Sequence, residues 1–170
     1  DNDRSVVGSA IPKVIYGFRT NLRYKNFDFG MNFNGGAGND IYNHTTMSLF
    51  TKAQLSRSNN TTDFAIQFPN ESFNNSNTVS TRFLESGSYL RLNNATIGYN
   101  VSPSKLGVGN AFQNIRISLT GQNLFVITNY SGFDPEVNTG STSSGIQTFG
   151  IDRFTYPMAR TFMFNLNLTF

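Results

Sequence analysis

The sequence predicts an all-β protein, a transmembrane antiparallel β-barrel segment, and three observations carry that prediction. Apolar and polar residues alternate with a period of two over several long runs. Short turns alternate with long polar loops, the asymmetry of outer-membrane barrels. The 170 residues are 14 % charged and 14 % aromatic, with 17 Phe and no Trp. Ordinary soluble domains carry roughly 25 % charge; here Asn, Ser, Thr and Gly supply the polarity instead.

The run 160–170, RTFMFNLNLTF, alternates most strictly. Phe162, Phe164, Leu166, Leu168 and Phe170 share one face, and Thr161, Met163, Asn165, Asn167 and Thr169 the other. A strand over 14–25 puts Val14, Tyr16, Phe18, Leu22 and Tyr24 opposite Arg19, Asn21, Arg23 and Lys25. A strand over 27–36 puts Phe27, Phe29, Met31 and Phe33 opposite Asp28, Asn32 and Asn34, and a tight hairpin at Lys25 and Asn26 joins the two. Residues 88–101 form another strand, whose parity changes near Asn93–Asn94 as at a bulge. A further strand covers 114–127, with Ile115, Ile117 and Leu119 alternating with Arg116, Ser118 and Thr120.

Five strands of this length suit a tilted bilayer crossing. The polar faces suit a lumen, and Tyr16, Tyr24, Phe27, Tyr89, Tyr99 and Phe170 suit interfacial girdles. Bacterial barrels close with even strand numbers of about eight or more, and an open edge in lipid strands backbone groups without partners. Five strands therefore predict a share of a larger barrel. With 25–26 and 102–113 as periplasmic turns, 37–87 and 128–158 become extracellular loops, and a last strand alternating to Phe170 fits the C-terminal strand of a barrel. The alternative is a soluble β-sandwich, such as a glycan-binding module, which requires one buried face per strand.

Other chemistries find little support. The net charge of +3 is scattered, so no nucleic-acid footprint emerges. Without Cys there is no disulfide or thiolate metal site. His44, the single histidine, reads as a solvated loop residue. Asp134 and Glu136 in SGFDPEV offer a substrate or cation contact at the mouth, but read better as a turn set by Gly132 and Pro135 and stapled by Phe133. Gly107 and Gly109 lack the third glycine of a dinucleotide site. GGAGNDIYN at 35–43 fits one calcium-binding nonapeptide, but nothing repeats it. Its glycines read as a strand leaving the sheet, with Asp40 and Asn43 in water and Tyr42 at the rim. Arg19, Arg23, Arg91 and Arg116 face the lumen, to line a solute path or meet a plug. No catalytic, cofactor or metal residue is predicted, and substrate contacts stay unassigned.

Four phrases, PKVIYGFRTNLRYKNFDFGMNFNGGAGNDIYN, SGSYLRLNNATIGYNV, TGQNLFVITNYSGFDPEV and YPMARTFMFNLNLTF, resemble the closing segments of SusC/RagA-type TonB-dependent transporters. The resemblance implies a barrel of about 22 strands, of which these are the last five. It implies an outer-membrane importer of Bacteroidetes, not an enzyme, that takes up oligosaccharides, glycans or peptides with energy from TonB. It further implies a SusD-like surface lipoprotein as partner. The plug domain and the segment that meets TonB have no counterpart in these residues.

Overall fold

A computed structural model describes residues 5–50, 52, 67–68, 70, 79–108, 111–137 and 149–170. In chain order the strands are β1 (Val14–Tyr24), β2 (Phe27–Ala37), β3 (Asp40–Asn43), β4 (Leu84–Ser86), β5 (Tyr89–Val101), β6 (Asn114–Thr128), β7 (Ile151–Asp152) and β8 (Thr161–Thr169); a helix, α1 (His44–Phe50), follows β3. The chain divides into two units, Ile15–Gly35 with Tyr89–Ile127 and Met158–Phe170, and Asp1–Val14 with Gly36–Ser88 and Thr128–Pro157.

The long strands form one open sheet in the order β1-β2-β5-β6-β8. Lys25 takes a φ of 53° in the two-residue turn between β1 and β2, the positive φ that such hairpins favour because it matches strand twist. β2 and β5 run antiparallel: the Asn100 N–H donates to the Asn26 carbonyl at 2.8 Å at one end, and Gly35 lies against the Tyr89 carbonyl at the other. β6 and β8 pair antiparallel from Asn114↔Thr169 to Gln122↔Thr161.

That register sorts the two faces. Ile115 lies opposite Leu168, Ile117 opposite Leu166 and Leu119 opposite Phe164, while Arg116 faces Asn167 and Ser118 faces Asn165. Cross-strand pairs of like character stabilise a sheet by tenths of a kcal/mol to about 1 kcal/mol each. Rings continue the apolar face across other strands, with Phe27 and Tyr99 centroids 4.6 Å apart and Phe33 6.4 Å from both Phe18 and Phe125. This face is bare: Phe18 and Leu22 are each 61 % exposed, and Phe164 is 69 % exposed. A soluble sandwich would bury it, so these five strands do not form one.

The parity change at Asn93–Asn94 falls inside an unbroken β5. Its adjacent residues Arg91 and Leu92, on opposite faces, are both buried.

The second unit places regular elements within the segments 37–87 and 128–158, read from the sequence as long loops. It holds a small sheet, β4-β3-β7, with β3 antiparallel to β4 and parallel to β7. These elements run four, three and two residues, too short for a period to register. Two apolar clusters sit here, Ile41 with Tyr130 and Val137, and Met47 with Phe50 and Phe83. Most of the loop interiors at 50–80 and 138–148 lie outside the described residues.

GGAGNDIYN is divided between the two units, Gly35 belonging to the large sheet and Gly36 onward to the second unit. Gly38 takes a φ of 81°, so there the glycine supplies backbone freedom. Gly35 serves closeness instead. A β-carbon there would collide with the Tyr89 carbonyl oxygen and the Tyr16 ring, and the Tyr16 hydroxyl donates to that same carbonyl at 2.7 Å.

Candidate functional site

The polar face of the large sheet carries an ion pair that spans three strands. Arg116 on β6 donates from Nε to Asp28 Oδ1 at 3.2 Å and from Nη2 to Oδ2 at 2.6 Å. This two-pronged geometry suits a guanidinium and a carboxylate. The pair crosses over Gly98 of β5, where any β-carbon would run into both partners. Asn100 adds a donor to Asp28 Oδ1 at 3.4 Å, and Thr96 and Thr120 join hydroxyls at 2.9 Å.

Beside the pair the face hollows into an open concavity of about 580 Å³, lined by Arg19, Asn21, Arg23, Met31, Asn94, Thr96, Asp28 and Arg116 among others. Three of the four arginines read from the sequence as facing one way therefore meet at one place. Arg91 does not: it is 3 % exposed, with its guanidinium 5.9 Å from the Tyr89 ring centroid. The Asp28–Arg116 pair was not legible in the sequence, because β2 and β6 are separated by β5 and their residues by 88 positions.

A second polar network holds the small sheet together through two carboxylates. Glu85 accepts from Asn43 Nδ2 at 2.9 Å, from the Ser131 N–H at 2.7 Å and from the Ser131 hydroxyl at 2.8 Å. Asp152 accepts from the Tyr130 hydroxyl at 2.5 Å, from Thr45 Oγ1 at 3.1 Å and from the Thr155 N–H at 3.0 Å. Phe154, with a φ of 56°, is held in that uncommon backbone region by its N–H donating to Thr45 Oγ1 at 2.7 Å.

Several expectations change here. Asn43 is 1 % exposed rather than in water; its Oδ1 accepts the Thr46 N–H at 2.8 Å and so caps α1. Asp40 is half-buried and accepts from the Ser9 N–H at 3.0 Å. Tyr42 packs at 6.4 Å from the Phe83 ring. His44 opens α1, half-buried, with Nδ1 3.1 Å from the Ser48 hydroxyl. Burial, then the nearby Arg153, push its pKa below the usual 6.5. Asp134 is buried and accepts from the Glu136 N–H at 2.9 Å across Pro135, an Asx turn. Phe133 is 74 % exposed rather than packed down on the turn. Among the described residues no group of three or more His, Cys, Asp or Glu is placed to hold a metal.

Burial, and then the hydrogen bond to Asp152, push the Tyr130 phenol well above its usual pKa of 10.0. Since folding raises this pKa, its contribution to stability is whole below about pH 10 and is lost as pH climbs further. In an alkaline absorbance titration, the full-length protein and its Tyr130→Phe variant are expected to ionise identically while folded. An extra phenolate in the unsubstituted protein near pH 10 would contradict the buried hydrogen bond.

Known proteins resemble the chain along nearly all of its length. TonB-dependent receptor P3 of Formosa agariphila is 35 % identical over 181 residues, covering 99 % of this chain and 17 % of its own. The TonB-dependent receptor SusC of Bacteroides thetaiotaomicron is 29 % identical over 186 residues, covering 99 % and 16 %. The chain is a homologue of TonB-dependent receptors. It spans less than a fifth of the length of these two relatives. The fold agrees: the solved RagAB peptide transporter superposes with a TM-score of 0.75 at 22 % identity, over 97 % of this chain and 18 % of the other. RagAB in its open-open state gives a TM-score of 0.70, also at 22 % identity. No family model matches.

Proposed function

We propose that this chain is the C-terminal part of the β-barrel of a TonB-energised outer-membrane importer for oligosaccharides, glycans or peptides. Its five long strands would be the last of about 22. The segments 37–87 and 128–158 would lie outside the cell and shape the mouth beneath a SusD-like lipoprotein. The turns at 25–26 and 102–113 would lie in the periplasm, and plug and TonB contacts would belong to other parts of the transporter.

One observation carries the reading: the apolar face of an open five-stranded sheet is exposed while its polar face holds the ion pair and the concavity. Lipid satisfies the first and an aqueous lumen the second. Edges at β1 and β8 would be closed by further strands, since unpaired backbone in lipid costs several kcal/mol per group. The homologous receptors and the RagAB peptide transporter support the import role. The full-length protein is expected in the outer-membrane fraction, migrating faster in detergent gels before boiling than after. Residues 1–170 expressed alone are expected not to fold; a soluble monomer that unfolds cooperatively would overturn the reading.

A further inference from the structure

We propose that the concavity on the polar face is a subsite for a negatively charged oligomer, one that carries repeated carboxylate or sulfate groups. The inference rests on the transporter reading and goes beyond it by naming a ligand class. Of the acids and bases lining the hollow, Asp28 is the one acid, facing Arg19, Arg23 and Arg116. Arg116 takes both oxygens of Asp28, which neutralises that pair. Arg19 and Arg23 make no ion pair among the described residues, so the hollow keeps about two units of positive charge. Asn21, Asn94 and Thr96 stand beside them as neutral hydrogen-bonding groups.

Spacing argues for an oligomer over a single small ion. Arg19 and Arg23 stand four residues apart on one face of one strand, about 13 Å along the chain at roughly 3.3 Å per residue. Two planar guanidiniums at that interval match charges repeated along a polymer, and each offers a fork to an oxyanion. Gly30 keeps the floor low next to Asn21, where a β-carbon would come within 3.0 Å of Asn21 Oδ1.

The test uses the full-length protein in detergent, first checked for heat-modifiable migration, so that failure of the barrel reading is seen separately. Phenylglyoxal labelling of arginines is followed by peptide mass, with trigalacturonate as the charged probe and maltotriose as the neutral one. Arg19 and Arg23 are expected to label in the free protein and to be protected by trigalacturonate but not by maltotriose. The double variant Arg19→Gln, Arg23→Gln is expected to bind trigalacturonate at least tenfold more weakly, with its heat-modifiable migration intact. Labelling without protection overturns the proposal. So does absence of labelling in the free protein, which would mean that an acidic stretch of polypeptide already occupies the two arginines.

Discussion

Replacing Phe164 by Arg in the full-length protein is expected to cost about 2–4 kcal/mol of folding stability in lipid, the penalty for a basic residue at the bilayer midplane of a barrel. Phe164 sits mid-strand on β8, opposite Leu119, with its side chain 69 % exposed. In water an exposed Phe→Arg change away from special features falls within about ±0.5 kcal/mol, so the two solvents give separate answers. Met163→Arg is the control on the opposite face, where Met163 pairs with Thr120 and a lumen would tolerate the charge. The measurement is equilibrium unfolding from lipid vesicles. Equal, small effects at both positions would remove the lipid-facing assignment.

Asn43 is the position where a small change in the second unit is expected to do most harm. Its amide caps α1 through Oδ1 and donates through Nδ2 to Glu85 and to Ser131 Oγ at 3.2 Å. Asn43→Ala removes the cap, worth about 1 kcal/mol, and leaves Glu85 with one donor fewer at a buried edge, for about 1–3 kcal/mol more. Asn43→Asp keeps the cap but sets a second carboxylate against Glu85, where an amide now donates across 2.9 Å. Like charges that close cannot both stay ionised without cost. The Asp variant is therefore expected to be the worse one at pH 7 and to recover as acid protonates one of the pair. Hydrogen exchange at the Thr46 and Ser131 amides of the full-length protein reads both effects. An Asp variant as protected as the parent at neutral pH would mean that the Glu85 network does not hold these segments.

Period-two patterns persist only where a strand is long and its two faces meet different surroundings. The alternation over 160–170 coincides with β8, whose register with β6 sorts the residues of both strands by face, and strands also stand over the runs at 14–25, 27–36, 88–101 and 114–127. Phe162 to Phe170 stand out because five apolar side chains in a row of alternate positions have no helical reading. The small sheet left no such trace. β3 and β7 together span six residues, and their pairing is parallel between segments more than a hundred positions apart. Asn43, with the short polar side chain of a turn residue, gave no hint that it is among the most buried residues described.

The candidate site divides along the same line. That Arg19, Arg23 and Arg116 lie on polar faces follows from parity within each strand, a local property of the backbone. That Arg116 reaches Asp28 while Arg19 and Arg23 keep their charge depends on which strands neighbour one another and on a glycine at position 98 between them. By itself the sequence carried the long alternating runs and, through whole phrases, the resemblance to TonB-dependent receptors. Only the tertiary structure decided the ion pair, the hollow beside it, the close packing at Gly35 and the helix cap at Asn43. The physical reason is range: alternation is written residue by residue, whereas a contact across three strands exists only once the sheet has set its order and register.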